Sequence, residues 1–401
     1  MENYISLKIK NYISKSSWIR KMFENGRELK LKYGEENVFD FSLGNPDVAP
    51  PKKFFDIYSK ITQNTKTSDH SYMPNAGYIS TREKLANYLS KIYNKKISAN
   101  NLILTSGAAG AINIALKSIL NPEDEIIIIS PFFPEYIFYI DNHNGQPIIV
   151  DSDENFDLNI ENIEKKITQK TKGIIINSPN NPTGKVYSKN KLSDLSKLLE
   201  KYEKKYNHPI YIISDEPYRN IVYDKIEIPS LLELHPNTII ANSYSKELSI
   251  PGERIGYALI NPDCAGKDIL FDALVLCNRI CGFVNAPATI QRVLEKLIED
   301  YEAVNIKLYE VRRNKICDML KEIGYELTKP AGAFYLFPKS PIEDDIEFIN
   351  ILLKENVLCV PGSGFGRKGY FRIAYCVDEK IIEKSYNGFK NAFLSAKNKN
   401  G

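Results

Sequence analysis

The chain has 401 residues, of which 43% are hydrophobic and 26% charged; this is the composition of a folded globular protein and excludes overall disorder. At this length a sizeable core is expected, in two to three domains or in one large unit with a satellite. Lys+Arg 53 against Asp+Glu 50 gives a net charge of +3 with both signs interspersed, which leaves no electrostatic case for nucleic acid or an anionic membrane as partner.

In chain order, the N-terminus MENYISLKIKNYISKSSW lacks a continuous apolar stretch and a small-residue cleavage site, so no secretory leader is expected. Residues 1–45 read as a charged helical segment closing on the apolar stretch Val38–Leu43, and they are expected to join a small domain. Branched apolar runs then recur at 102–105, 126–129, 148–150, 174–176, 210–213 and 238–241, with helical spacing between them at 81–92, 108–120 and 189–206. Short buried strands alternating with helices indicate βαβ units and a mostly parallel sheet flanked by helices. A large domain is expected over 46–290. One long helix is expected from about 288 to 322, leading into an α+β domain over 291–401 in which KPAGAFYLFPK and FRIAYCV form strands. The tail SAKNKNG is expected to fray. No run reaches the roughly 20 apolar residues that a membrane helix needs. Six cysteines, at 264, 277, 281, 317, 359 and 376, contain no CxxC and read as free thiols of a reducing cytoplasm.

The informative residues are those that follow each apolar run. After 102–105 comes Ser106-Gly107-Ala108-Ala109-Gly110, and after 126–129 comes Ser130-Pro131-Phe132-Phe133. Asn177-Ser178-Pro179-Asn180-Asn181-Pro182-Thr183-Gly184 follows 174–176, Ser214-Asp215-Glu216-Pro217-Tyr218 follows 210–213, and Asn242-Ser243-Tyr244-Ser245-Lys246 follows 238–241. In an open parallel sheet, ligands bind beyond the carboxyl ends of the strands, so five strands deliver polar groups to one rim. Each motif alone has an ordinary reading. SGAAG is turn punctuation or a phosphate-binding helix start. NNPTG is a turn, and Asp215 is a helix cap or a functional carboxylate. Lys246 is a surface lysine unless a nearby cation lowers its pKa and makes it a Schiff-base nucleophile. Arg254, in IPGERIGY, is a candidate for that cation or for a phosphate clamp. Arg372, in the apolar setting YFRIAYC, pairs with a carboxylate, whether structural or a ligand's.

Two other motifs carry less. Gly364–Gly369 spells GxGxxG, but a strand-like segment follows it where a dinucleotide site needs a helix. His70, His143, His208 and His235 lack metal-ligand spacing, and no metal is expected.

Taken together, FSLGNPD, SYMPNAGY, SGAAG, SPNNPTG, SDEPYRNIVYD, SYSKELSIPGERIGY, GAFYLFP and VPGSGFG…FRIAY occur in one order across nearly the whole chain. In this the sequence resembles the class I aminotransferases, the aspartate-aminotransferase-like enzymes of the type I pyridoxal 5'-phosphate (PLP) fold. The resemblance implies a large α/β domain plus a smaller α+β domain built from both termini. It implies that Lys246 forms the aldimine with PLP and moves the substrate proton, that Asp215 pairs with the pyridine nitrogen, and that Tyr218 and Asn181 bond the phenolic oxygen. It implies Phe133 against the ring and a phosphate held by Gly107, Ala108, Ala109, Ser243, Ser245 and Arg254. Tyr72 would reach the phosphate of a neighbouring subunit, which implies a homodimer with shared sites. Gly44, Asn181 and Arg372 would hold the substrate carboxylate.

The activity so implied is ping-pong exchange of an amino group between an L-amino acid and a 2-oxo acid. The alternatives are a PLP-dependent β-lyase, which releases ammonia without an acceptor, and a non-catalytic PLP-binding sensor. Where dicarboxylate-selective relatives place a cation, this chain aligns Ala109 and Cys281, with Arg279 two residues away. Arg279 could substitute for that cation, which leaves acidic substrates open, whereas Phe334 and Tyr335 in GAFY favour a neutral side chain; the expected donors are neutral or aromatic amino acids, with 2-oxoglutarate as a plausible acceptor.

Overall fold

The computed structural model describes residues 4–14, 18–301 and 303–399. They form two compact units. The smaller comprises the described residues of 1–44, 308–330 and 334–401, and the larger comprises those of 45–307 and 331–333.

Strand β1 (Phe39–Asp40) belongs to the smaller unit. The larger unit is built on seven strands: β2 (Leu102–Thr105), β3 (Glu125–Ser130), β4 (Gln146–Asp151), β5 (Thr171–Asn177), β6 (Tyr211–Asp215), β7 (Thr238–Ser243) and β8 (Gly256–Ile260). Their order is β2-β8-β7-β6-β5-β3-β4, and all run parallel except β8. The isoleucine run explains why this sheet is covered on both faces. Ile126 and Ile128 point to one side, with Ala111, Ile114 and Ala115 of the helix Gly107–Ile119. Ile127 and Ile129 point to the other, with Leu192, Leu195 and Leu199 of the helix Lys189–Tyr206. A period of two places alternate isoleucines in opposite cores, which is why four in a row are buried together.

The smaller unit pairs β1 in parallel with β10 (Val357–Leu358). It also holds an antiparallel sheet of β9 (Tyr335–Leu336), β11 (Val360–Pro361) and β12 (Phe371–Ala374), in the order β11-β12-β9. Tyr325 packs against Phe348, Phe371, Phe389 and Phe393 to form its aromatic core.

Four expectations change. β8 lies inside a stretch read only as a motif, and it enters the sheet as its single reversed strand. The long helix expected over 288–322 is two helices, Ala288–Leu297 and Ile306–Ile323. Between them the Val304 amide donates to the Glu247 carbonyl at 2.9 Å, and this tertiary bond draws the chain out of helical conformation. The units divide between Lys307 and Leu308 rather than after residue 290, because Ala288–Leu297 packs on the helices Lys52–Gln63 and Ile79–Ile92 of the larger unit. The C-terminal helix Tyr386–Lys399 includes most of the tail expected to fray; residues 400 and 401, like residues 1–3 and 15–17 of the N-terminal segment, lie outside the described residues.

Candidate active site

Because β2, β3, β5, β6 and β7 are parallel, their carboxyl ends lie on one rim of the sheet, and the start of antiparallel β8 joins them there. This rim carries Gly107, Asn177, Asp215, Ser243 and the segments leading to Phe133, Asn181, Tyr218, Lys246 and Arg254.

Asp215 ends β6 in register with Asn177 of β5 and is 6% exposed. The hydroxyl of Tyr136 donates to its Oδ2. Asn177 Nδ2 donates to the Asp215 carbonyl at 2.9 Å and lies 3.5 Å from Oδ2. Oδ1 is buried with no hydrogen-bond partner among the described residues. A buried carboxylate oxygen left bare costs roughly 1–3 kcal/mol, so its retention points to a ligand donor at this position. Burial pushes the Asp215 carboxyl up to about 7; the Tyr136 bond opposes that rise, and the neighbouring Glu216 charge adds to it.

Asn177 also fixes the next loop, since its Oδ1 accepts from the Asn181 amide at 2.7 Å. The Asn180 side chain accepts from the amide and hydroxyl of Thr183, and the Gly184 amide closes the turn onto the Asn180 carbonyl at 2.8 Å. NNPTG is therefore a turn, as its residues require, and it presents the buried Asn181 at the rim. Phe133 meets Tyr136, the donor to the aspartate, edge-on with centroids 5.6 Å apart.

On the β2 side, Gly107 begins a helix of 13 residues with φ +73, and a Cβ there would lie 2.9 Å from Arg254 Nη2. Only glycine fits this close approach and this φ without strain. The first-turn amides that follow, at Ala108 and Ala109, have no intrahelical acceptor and carry the positive end of the helix dipole. Arg254 is exposed, in left-handed conformation (φ 51), and its guanidinium donates to the carbonyls of Pro251 at 3.1 Å and Ser106 at 3.3 Å. A Cβ at Gly256 would meet the Gly107 carbonyl carbon at 2.8 Å, so this second glycine lets β8 approach the helix start. Ser243 and Ser245 are buried at the end of β7, and Lys246 follows them, half-buried. Amides at a helix N-terminus and a guanidinium beside it are donors of the kind that suit an anion.

A buried polar layer lies behind these residues. Glu216 accepts from Ser214, Tyr93 and Arg219 at 2.7, 2.8 and 3.0 Å, and Glu247 accepts from Asn220. Residues 215, 218 and 246 are thus flanked by neighbours tied into the interior.

Three of the expected residues stand on other segments. Tyr72 is 92% exposed, near Met73, Phe283 and Asn285. Gly44 and Arg372 belong to the smaller unit. There Arg372 on β12 is 2% exposed, its Nη2 donates to the Ser42 carbonyl at 2.5 Å, and its guanidinium lies 4.7 Å from the Tyr335 ring centroid and 4.8 Å from that of Phe365. A Cβ on Gly44 would collide with the Tyr335 hydroxyl. Sequence reasoning missed Tyr136, and it placed Asn177 at a strand end without giving it a role. A tyrosine three residues beyond Phe133 in an apolar helix start was the available signal, since a buried phenol seeks an acceptor.

The family model for aminotransferase class I and II matches residues 36–386. A probable aspartate aminotransferase of Methanocaldococcus jannaschii is 32% identical over 399 residues, covering 97% of this chain and 100% of its own length. An aromatic-amino-acid aminotransferase of Thermococcus litoralis is 31% identical over 402 residues, covering 95% and 96%. The crystal structure of an aminotransferase from Eubacterium rectale superposes with a TM-score of 0.94 at 37% identity, covering 98% of this chain and 99% of that one. With a rim that offers a bare carboxylate, donors that suit an anion and a lysine, and with relatives spanning both chains almost end to end, the protein belongs to the class I and II aminotransferase family and is a transaminase.

Proposed function

We propose that the protein is a PLP-dependent aminotransferase that works in two half-reactions between a neutral or aromatic L-amino acid and a 2-oxo acid such as 2-oxoglutarate. The single observation that carries the reading is the buried Oδ1 of Asp215, without a partner, on the rim that also bears Lys246. The chemistry of the donor set fits PLP at both ends. An anionic oxygen suits a protonated ring nitrogen, and the Gly107 helix start with Arg254 suits a phosphate. When bound, the cofactor supplies a conjugated ring that draws electron density from the substrate Cα–H bond.

The chain's own residues divide the remaining work. Asp215 Oδ1 would hold negative charge towards the ring nitrogen. The amides of Ala108 and Ala109, together with Gly107, Ser243, Ser245 and Arg254, would hold the phosphate. Phe133 would cover a ring face. The Tyr218 hydroxyl and the Asn181 amide would bind the phenolic oxygen. Lys246 Nζ would hold the cofactor and, once released by the substrate amine, would move the proton at the substrate Cα as a free amine. Arg372 would bind the substrate carboxylate as a two-pronged donor, its guanidinium plane restricted by its two aromatic neighbours, with Gly44 in the same unit. Tyr72, exposed on one chain, reaches the phosphate in a second copy, so the working form is a homodimer with shared sites. The donor class is supported by the absence of charge at Ala109 and Cys281.

The test is a panel of L-amino acids with and without 2-oxoglutarate. Transamination predicts oxo-acid formation that depends on the acceptor. Ammonia release without one would establish a β-lyase instead, and aspartate turned over far faster than phenylalanine, leucine and alanine would refute the donor class.

A further inference from the structure

Asp215 is held asymmetrically. One oxygen, Oδ2, accepts from Tyr136 and faces Asn177, while Oδ1 is bare. Tyr136 lies on the helix Glu135–Asn142, buried to 2% exposure, with Phe133 edge-on to its ring. The phenol is fixed in place by packing and is separated from its acceptor by 79 positions in sequence.

We propose that Tyr136 is a positioning residue for the transamination reaction: its hydroxyl pins Oδ2, keeps Asp215 anionic, and leaves Oδ1 as the oxygen offered to the ring nitrogen of the cofactor. The proposal rests on the cofactor reading given above. Its physical basis is the contest over charge on Asp215. Burial favours the neutral acid, and the Glu216 carboxylate next in sequence favours it further. On the other elements packed around it, Asn177 of β5 offers an amide, Tyr139 of the same helix as Tyr136 carries a second phenol, and Tyr218 stands in the following turn. Tyr136 supplies the charge-assisted hydrogen bond that opposes burial. The proton stays on the phenol, because burial and the aspartate charge push the Tyr136 hydroxyl well above its ordinary range. Tyr136 is therefore a permanent donor to Oδ2. Without that bond only the long Asn177 contact distinguishes the two carboxylate oxygens, and the anion loses its main support.

The test measures binding of pyridoxine 5'-phosphate to the unloaded protein from pH 5.5 to 8.5. This ligand has no aldehyde, so it forms no covalent bond to Lys246 and reads the Asp215 and phosphate ends alone. Titration of the ligand itself is common to every protein compared. Protonation of Asp215 competes with binding, so affinity falls as pH drops. Tyr136→Phe is expected to move this acid limb up by about one pH unit, weakening binding about tenfold along it. Replacing Tyr136 by 3-fluorotyrosine keeps the ring and strengthens the donor, and is expected to move the limb down. A purely structural role predicts no such opposite shifts. The proposal is overturned if the fluorinated protein moves the limb up or if both variants superimpose on the wild type. If Tyr136→Phe does not fold, the fluorinated protein alone decides. Wild-type protein that fails to bind the ligand at any pH overturns the cofactor reading itself, a result distinct from binding that is indifferent to Tyr136.

Discussion

Glu247, the residue after Lys246, makes a quantitative prediction about stability. It is buried, it accepts from Asn220 Nδ2, and burial raises its carboxyl from 4.5 to about 7, against the opposing effects of that bond, the Tyr301 hydroxyl and the Arg219 charge. At about 1.4 kcal/mol per tenfold change in proton affinity, the ionised side chain destabilises the fold by roughly 3 kcal/mol. The sign follows from proton counting. Between about pH 4.5 and 7 the folded protein binds more protons at this site than the unfolded chain, so stability falls as pH rises through that window and is level above it. Glu247→Gln keeps an oxygen for Asn220 and removes the titration. In urea unfolding of the unloaded protein, the variant should match the wild type at pH 4.5 within about 1 kcal/mol and exceed it by roughly 3 kcal/mol at pH 8. Asp215, whose carboxyl is also raised, is present in both proteins and cancels in the difference. A gap that does not vary with pH, or a variant less stable than wild type at pH 8, would refute the reasoning. The expected result has a functional side, because a charge buried beside the reactive lysine is a local cost of the kind that active sites retain.

Three further outcomes are expected. Arg372→Lys should raise KM for every amino acid and oxo acid by roughly a hundredfold with a smaller change in kcat, because a point charge cannot reproduce a planar fork held between Tyr335 and Phe365; steady-state kinetics across the panel checks this. Gly107→Ala, which forces a side chain into φ +73 and towards Arg254, should cost about 1–2 kcal/mol in thermal unfolding and weaken phosphate-dependent cofactor affinity, measured by equilibrium titration. Mixing inactive Lys246→Ala chains with inactive Tyr72 variants should restore part of the activity, whereas a fully active monomer in sedimentation would contradict shared sites.

The rim was legible in the sequence because its residues are local to strand ends. Asp215, Asn177, Ser243 and Gly107 each follow or close an apolar run, and the parallel order of β2, β3, β5, β6 and β7 carries them to one edge. What escaped reading depends on distant partners. Tyr136 is defined by an acceptor in another βαβ unit, and FFPEYIFY signals a buried phenol without indicating which acceptor it finds. β8 was hidden because GYALI follows a glycine-bearing motif, and its reversed direction is fixed only by pairing with β2 and β7. The break after Leu297 follows from a backbone bond to Glu247, to which helical periodicity is blind. The boundary between the units was misplaced for the same reason, since Ala288–Leu297 has helical spacing but packs on the larger unit.

The claim on which the account turns is that Lys246 carries the cofactor, and chemical trapping tests it most directly. Purified protein saturated with PLP is reduced with borohydride, digested, and mapped by mass spectrometry, with Lys246→Ala treated in parallel. The account predicts one phosphopyridoxyl-modified lysine, Lys246, and no modified peptide from the variant. A reducible adduct on another lysine, or one that survives in Lys246→Ala, would contradict it.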